Sequence, residues 1–216
     1  PPSARKATKL PEPAELELLD DAEARYVSRG GLKLEGALQA AAVDPRGRRC
    51  LDVGQSTGGF TDCLLQRGAA QVVGVDVGHG QLHASLRSDP RVACLEKTNA
   101  RELDAAVLRQ AGVEPGFDLA VGDLSFISST LVLPALAPLL SPGGQLLLLA
   151  KPQFELQPGQ LGKGGIVRDA SLYAQVEQRL REACAACGLQ VLGWFDSPIA
   201  GGDGNREFFI HARRGA

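Results

Sequence analysis

Two lysines and two acids, spread over four separate motifs, are the residues with which this sequence could do chemistry. They are Lys33 in SRGGLKL, Asp123 in GDLSF, Lys151 in AKPQFE and Glu207 in GNREFF. Asp123 follows the apolar run Leu119–Val121 and Lys151 follows Gln145–Ala150, and both runs read as buried strands. Glu207 stands early in a late strand-like segment. Open α/β sheets bind ligands beyond the carboxyl ends of their strands, so Asp123 and Lys151 are expected to share one crevice. A lysine and an aspartate at strand ends, beside a glycine-rich loop, point to a reaction centre.

The elements that must position these residues alternate along the chain. A helix is expected from Ser28, with Ser28 as its N-cap and Leu32, Leu34, Ala37, Leu38 and Ala41 as its apolar side. Asp44-Pro45-Arg46-Gly47 ends it. Strands are expected at Cys50–Val53, Gln71–Val75, Val92–Leu95, Asp118–Val121 and Gln145–Ala150. Helices at Gly58–Arg67, Gln81–Arg87, Arg101–Gln110 and Ile127–Leu140 would separate them. A long helix over Ser171–Cys187 then leads to closing strands at Leu189–Phe195 and Glu207–Ala212. The pattern predicts an α/β fold, a mostly parallel sheet with helices on both faces. The last two strands lack a helix between them and should form an antiparallel pair at one edge. Ala14–Leu19 alternates briefly like a strand, after a proline-rich, basic start.

The first strand runs into LDVGQSTGGFTD, where Gly54, Gly58 and Gly59 let the backbone turn tightly and approach a ligand. The second ends in GVDVG, which places Asp76 where its carboxylate can accept hydrogen bonds from a ribose diol. The 22 residues from Gly54 to Asp76 are close to the roughly 20 expected of a nucleotide-binding βαβ unit. The dinucleotide pattern G-x-G-x-x-G is absent, since the loop reads Gly54-Gln55-Ser56-Thr57-Gly58-Gly59. Asp52, Asp76 and Asp123 give the site an acidic rim, which suits a cationic ligand such as S-adenosylmethionine better than a diphosphate.

Composition bounds the reading. The 216 residues suffice for one large domain, or one domain with an appendage. A net charge of −2 gives no global case for nucleic-acid binding, so any such contact needs a local patch or a further part. The five cysteines are odd in number and lie in apolar segments, which fits reduced thiols in a cytoplasmic protein. Cys184-Ala-Ala-Cys187 falls late in a helix with no second pair, and His79 and His83 lack a carboxylate-bearing partner motif, so no metal site is expected. The long apolar stretch Leu131–Ala150 is broken by Pro134, Pro138, Pro142, Gly143 and Gly144. It reads as helix, turn and strand, not as a membrane span.

Together YVSRGGLKL, LDVGQSTGGFTD, VDVGHGQL, KTNAREL, DLSFIS, KPQFE with GKGGIVRD, and GNREFF resemble the TlyA/hemolysin A group of FtsJ-type ribosomal RNA methyltransferases. The resemblance runs from about Tyr26 to Ala212. It implies a Rossmann-like class I methyltransferase domain over residues 25–216, built on a seven-stranded sheet. Residues 1–24 would be a linker or the remnant of an N-terminal RNA-binding domain, most of it missing from this sequence. It also implies S-adenosylmethionine as methyl donor, and ribosomal RNA or ribosomal subunits as partner in the cytoplasm.

Lys33, Asp123, Lys151 and Glu207 would then be the tetrad that transfers a methyl group to a ribose 2′-hydroxyl. Asp52, Gly54, Ser56, Thr57, Gly58, Gly59 and Phe60 would surround the donor, with Asp76 on its ribose, Asn99 near its adenine and Asp123 beside it. Gln55 departs from the family pattern, where a small residue is usual. A ribose hydroxyl is a poor nucleophile until its proton can leave, and a lysine kept neutral by its surroundings can take it. Lys151 is assigned that role, with Lys33 positioning the hydroxyl and the two acids orienting the lysines. Arg25, Arg29, Lys163 and Arg168 are the basic residues left for RNA. The alternatives are a membrane-active haemolysin, a catalytically silent RNA-binding module with the same fold, and a nicotinamide dehydrogenase. Red-cell lysis, methyl transfer to ribosomal subunits and titration with both cofactors separate them.

Overall fold

A computed structural model describes residues 24–216. The strand-like Ala14–Leu19 and nearly all of the proposed linker lie outside the described residues. Helix α1 spans Gly30–Ala41, and β1 (Arg49–Val53), α2 (Gly59–Gln66), β2 (Gln71–Val75), α3 (Ala84–Arg87) and β3 (Val92–Leu95) follow. Next come α4 (Ala105–Gln110), β4 (Phe117–Gly122), α5 (Ser129–Leu136), β5 (Leu140–Ala150), α6 (Ser171–Ala186), β6 (Leu189–Asp196) and β7 (Phe208–Arg214).

The seven strands form one sheet in the order β3-β2-β1-β4-β5-β7-β6. The first five are parallel, and β7 inserts antiparallel between β5 and β6. Strand order reverses between β1 and β4, which opens a crevice at their carboxyl ends. Side chains alternate across the sheet. Leu146, Leu148 and Ala150 of β5 join the core under α4, α5 and α6, while Leu147 and Leu149 join the core under α1, α2 and α3. Two buried faces explain why the strands read as continuous apolar runs.

Several expected boundaries move for local reasons. Ser28 is not the N-cap of α1: Arg29 holds that position with helical angles (φ −60°, ψ −24°) and no side-chain cap. The Ser28 carbonyl instead accepts from Gly31 N–H at 3.2 Å. The helix expected over Arg101–Gln110 is broken in two, because Asn99 caps a short 3₁₀ turn and Asp104 accepts from Val107 N–H at 2.8 Å to start α4. α3 begins only at Ala84, where His83 Nδ1 accepts from Ser85 N–H. β5 starts earlier than expected, since Leu140 already pairs with Phe117 and the Ser141–Gly144 segment is absorbed as an irregularity of the strand. Glu207 stands one residue ahead of β7 rather than inside it.

Candidate active site

The loop from β1 to α2 passes over the crevice. Gly54 has φ +75°, and a Cβ there would collide with the Asp123 carbonyl, so the two strand ends can meet only at glycine. Gly59 lets the start of α1 approach in the same way, because a Cβ would strike the Ser28 hydroxyl. A cavity remains between the two, lined by Gly54, Ser56, Thr57, Gly59, Phe60 and Asp123 together with Ser28 and Gly30.

Asp76 fixes one side of this loop. Its Oδ2 accepts from Ser56 N–H and its Oδ1 from Gly78 N–H, both at 2.7 Å. Asn99 follows β3 on the same side, exposed, with its side chain accepting from Arg101 N–H at 3.0 Å. Asp52 is placed differently from the other acids. It is fully buried beneath the loop and does not line the cavity. Thr61 Oγ1 donates to its Oδ2 at 2.7 Å, and Gln55 Nε2 donates to Thr61 Oγ1 at 2.9 Å. Burial, helped by the nearby charges of Asp123 and Asp76, pushes the Asp52 carboxyl up to about 7 against the opposing bond from Thr61. Gln55, the departure in the loop, has its side chain in space left by Gly74, where a Cβ would overlap its amide. It is part of the support under the loop.

The four polar residues form two lysine–acid pairs; Asp123 lines this cavity, and Glu207 lines a second one with Asp196, Pro198 and Arg206. Lys33, on the buried side of α1, donates to Glu207 Oε1 at 2.7 Å, with side-chain exposures of only 9% and 3%. Lys151 forms an ion pair with Asp123 Oδ1 and donates to Ser125 Oγ at 3.0 Å. The Lys151 ammonium also sits 5.9 Å from the centre of the Phe154 ring. α1, the end of β4, the end of β5 and the approach to β7 thus each contribute one of these four residues.

The segment after Lys151 is held firmly. Glu155, buried, accepts from Ser128 Oγ at 2.5 Å and Ser129 N–H at 2.8 Å, which pins KPQFE to the start of α5. Burial raises its carboxyl above the usual range. Asn205, 1% exposed, accepts from Val167 N–H at 3.0 Å and donates to the Gly165 carbonyl at 3.0 Å. It joins the GKGGIVRD loop to the turn carrying Glu207.

Two residues that sequence reasoning passed over stand out by exposure. Val77 is 72% exposed directly after Asp76, and Phe126 is 89% exposed three residues after Asp123. Phe126 has φ +63°, a costly conformation for an aromatic residue, and its ring lies 5.2 Å from that of Phe154. Nothing in a lone sequence separates such a ring from a core phenylalanine. Arg25 is engaged away from the cavity, since both its terminal nitrogens bond Glu35, at 3.0 and 3.1 Å. The five cysteines carry no disulfide, and Cys50, Cys63 and Cys184 are buried. His79 lies 3.5 Å from Glu96, and no group of three metal-ligating side chains occurs among the described residues.

With this geometry in place, the FtsJ-like methyltransferase family matches residues 26–214. The chain belongs to that family. It is therefore an enzyme of the methyltransferase class. A 16S/23S rRNA (cytidine-2′-O)-methyltransferase TlyA from Mycobacterium tuberculosis is 46% identical over 98% of this chain and 77% of its own length. A protein named Hemolysin A from Brachyspira hyodysenteriae is 37% identical, over 95% of this chain and 83% of its own. The crystal structure of a Lactococcus lactis protein labelled a hemolysin superposes with a TM-score of 0.83 at 43% identity, covering 88% of this chain and 89% of that one. More distant structures of S-adenosylmethionine-dependent methyltransferases, such as one from Mesorhizobium loti (TM-score 0.62, 16% identity, covering 84% of this chain and 98% of that one), share the fold. The expected Rossmann-like methyltransferase architecture and the family resemblance are thereby borne out. Among the described residues no helix is long and apolar enough to cross a membrane.

Proposed function

We propose that this FtsJ-like methyltransferase moves a methyl group from S-adenosylmethionine to a ribose 2′-hydroxyl of ribosomal RNA. The observation that carries the reading is the presence of two lysine–acid pairs, the buried Lys33–Glu207 pair and the Lys151–Asp123 pair, with Asp123 lining the cavity beside the glycine-rich loop. Its relatives from Mycobacterium tuberculosis and Campylobacter jejuni are both named as rRNA cytidine-2′-O-methyltransferases, which supports the choice of acceptor. Such a substrate places the protein in the cytoplasm with the ribosomal subunits.

The cavity suits the donor. Its loop presents backbone rather than side chains where Gly54 meets Asp123, and the carboxylates of Asp123, which lines it, and Asp76, which ties its loop, favour a cationic ligand. Bound there, S-adenosylmethionine would supply a methyl group made electrophilic by a positively charged sulfur. Asp76, already anchored by two amides, keeps lone pairs for ribose hydroxyls. Val77 offers an apolar surface next to them.

Lys151, once its ammonium has released a proton to solvent, would receive the proton of the 2′-hydroxyl on its free amine as that oxygen forms its new bond to carbon and the carbon–sulfur electron pair leaves with the sulfur. Asp123 and Ser125 hold the Lys151 side chain at the strand end, and Glu207 holds Lys33. Lys33 directs the hydroxyl. In-line approach is demanding, so this positioning supplies much of the rate. Phe126 turns its exposed ring outward beside Lys151, where an unstacked base can lie against it.

Purified protein incubated with radiolabelled donor and ribosomal subunits tests the reading. Label should appear in ribosomal RNA as 2′-O-methylnucleoside. Label confined to bases or to protein would overturn it.

A further inference from the structure

We propose that Arg29, Lys163 and Arg168 form a phosphate clamp at the rim of the acceptor side, gripping the RNA backbone next to the ribose offered to Lys33 and Lys151. The inference rests on the reading that the acceptor is RNA, and goes beyond it by assigning the contact to the catalytic domain.

Most cations among the described residues are already committed. Arg67, Arg87, Arg91, Arg109, Arg181 and Arg206 pair with acids. Arg48, Arg49, Arg179 and Arg214 bond main-chain carbonyls. Arg29, Lys163 and Arg168 have no such partner among the described residues, and all three are exposed.

Their placement is built. Arg29 stands one helical turn before Lys33, so both lie on the same side of α1, and its guanidinium borders Gly202 in the turn that leads to Glu207. Lys163 sits in a tight turn closed by Gly162 N–H to the Ile166 carbonyl at 2.7 Å and Gly165 N–H to the Gly162 carbonyl at 3.1 Å. The Arg168 stem lies across Gly162, where a Cβ would come within 2.7 Å of it. Asn205 ties this turn to the Glu207 segment. The two cationic segments are thus fixed to the same frame as the Lys33–Glu207 pair.

The acids on these segments are occupied. Glu207 holds Lys33, Asp203 accepts from Asn205 and Gln153, and Asp169 accepts from Ser171. Free guanidinium and ammonium groups on a fixed frame suit phosphate oxygens, and arginine can bind them in a bidentate manner. Lys97 and Arg101 on the donor side are likewise exposed and without a side-chain partner, so what sets the three rim cations apart is their fixed place beside the Lys33–Glu207 pair.

Arg46 and Arg213 provide the control. Both are exposed and without a side-chain partner, but they lie at the other end of the sheet, before β1 and opposite the start of the regular β4–β5 pairing. Binding of a fluorescent single-stranded oligocytidylate would be measured against salt for wild type, Arg29→Gln/Arg168→Gln and Arg46→Gln/Arg213→Gln. Lys163→Gln is read alone. Each lost phosphate contact lowers the slope of log affinity against log salt by about 0.7 for single strands. The rim double variant should lose roughly 1.4 in slope, and Lys163→Gln about half that. The control, with the same charge change, should keep the wild-type slope, and donor affinity should hold throughout. Equal slopes for rim and control variants, or no salt-dependent binding by wild type, would overturn the clamp. Methyl transfer measured in parallel separates the two readings. Transfer with unchanged rim slopes removes only the clamp, whereas steep binding without transfer removes only the proposed reaction.

Discussion

The proposed donor side and the proposed acceptor side are held by different means. On the donor side, local backbone does the positioning: Asp76 ties Ser56 and Gly78, and Gly54 passes under the Asp123 carbonyl. On the acceptor side, side chains from distant segments meet, with Lys33 and Glu207 separated by 174 positions. A ligand shared by many enzymes can be held by a compact loop near one strand end. Aiming a hydroxyl requires groups from several directions, which only the completed fold supplies.

Breaking the acceptor frame should cost most in stability. Glu207→Ala leaves the Lys33 ammonium buried without its partner, a change expected to cost about 3–5 kcal/mol. Denaturant unfolding should register that loss, and Lys33→Met in the same chain should restore much of it. On the donor side, Asp76→Ala removes a charged acceptor, at roughly 1.5–3 kcal/mol or about ten- to a hundredfold in donor affinity. Calorimetry should show the change while oligocytidylate binding persists. Unchanged affinity would put the donor elsewhere.

Phe126→Ala should cost about 1–3 kcal/mol of RNA binding through lost stacking. It should act on the RNA KM and leave donor affinity alone. An effect on donor affinity instead would blur the division between the sides.

A separate effect is expected beneath the donor loop, in the dependence of stability on pH. The Asp52 carboxyl stands at about 7 against an ordinary 3.8, because burial disfavours its charge. The folded state therefore keeps a proton that the unfolded chain releases. Its stabilising contribution is full below the unfolded value and is lost as pH rises towards about 7. Asp52→Asn should remove this slope, so the variant should gain thermal stability relative to wild type between those limits. Parallel curves would mean that Asp52 is ionised throughout.

This division also explains what the sequence made legible. The donor loop and its acid follow one another within a single βαβ unit, and Gln71–Val75 and Val92–Leu95 match the expected strands. The four polar residues were legible as four motifs, but not their pairing, because Lys33 meets Glu207 only when α1 packs beside the turn before β7. Helix ends shifted where side chains captured the backbone, as Asp104 does at α4. Asp52 looked like a member of the acidic rim, yet its strand position turns it beneath the loop. The exposure of Phe126 depends on its positive φ, which no apolar pattern reveals.

Lys151→Ala gives the most direct test of the two-sided account, with donor titration by calorimetry and single-turnover methyl transfer measured on the same preparation. The account predicts near wild-type donor affinity, with transfer slowed by about 10²–10⁴-fold through loss of the base. Near wild-type transfer, or a loss of donor affinity that accounts for the slowed rate, would contradict it.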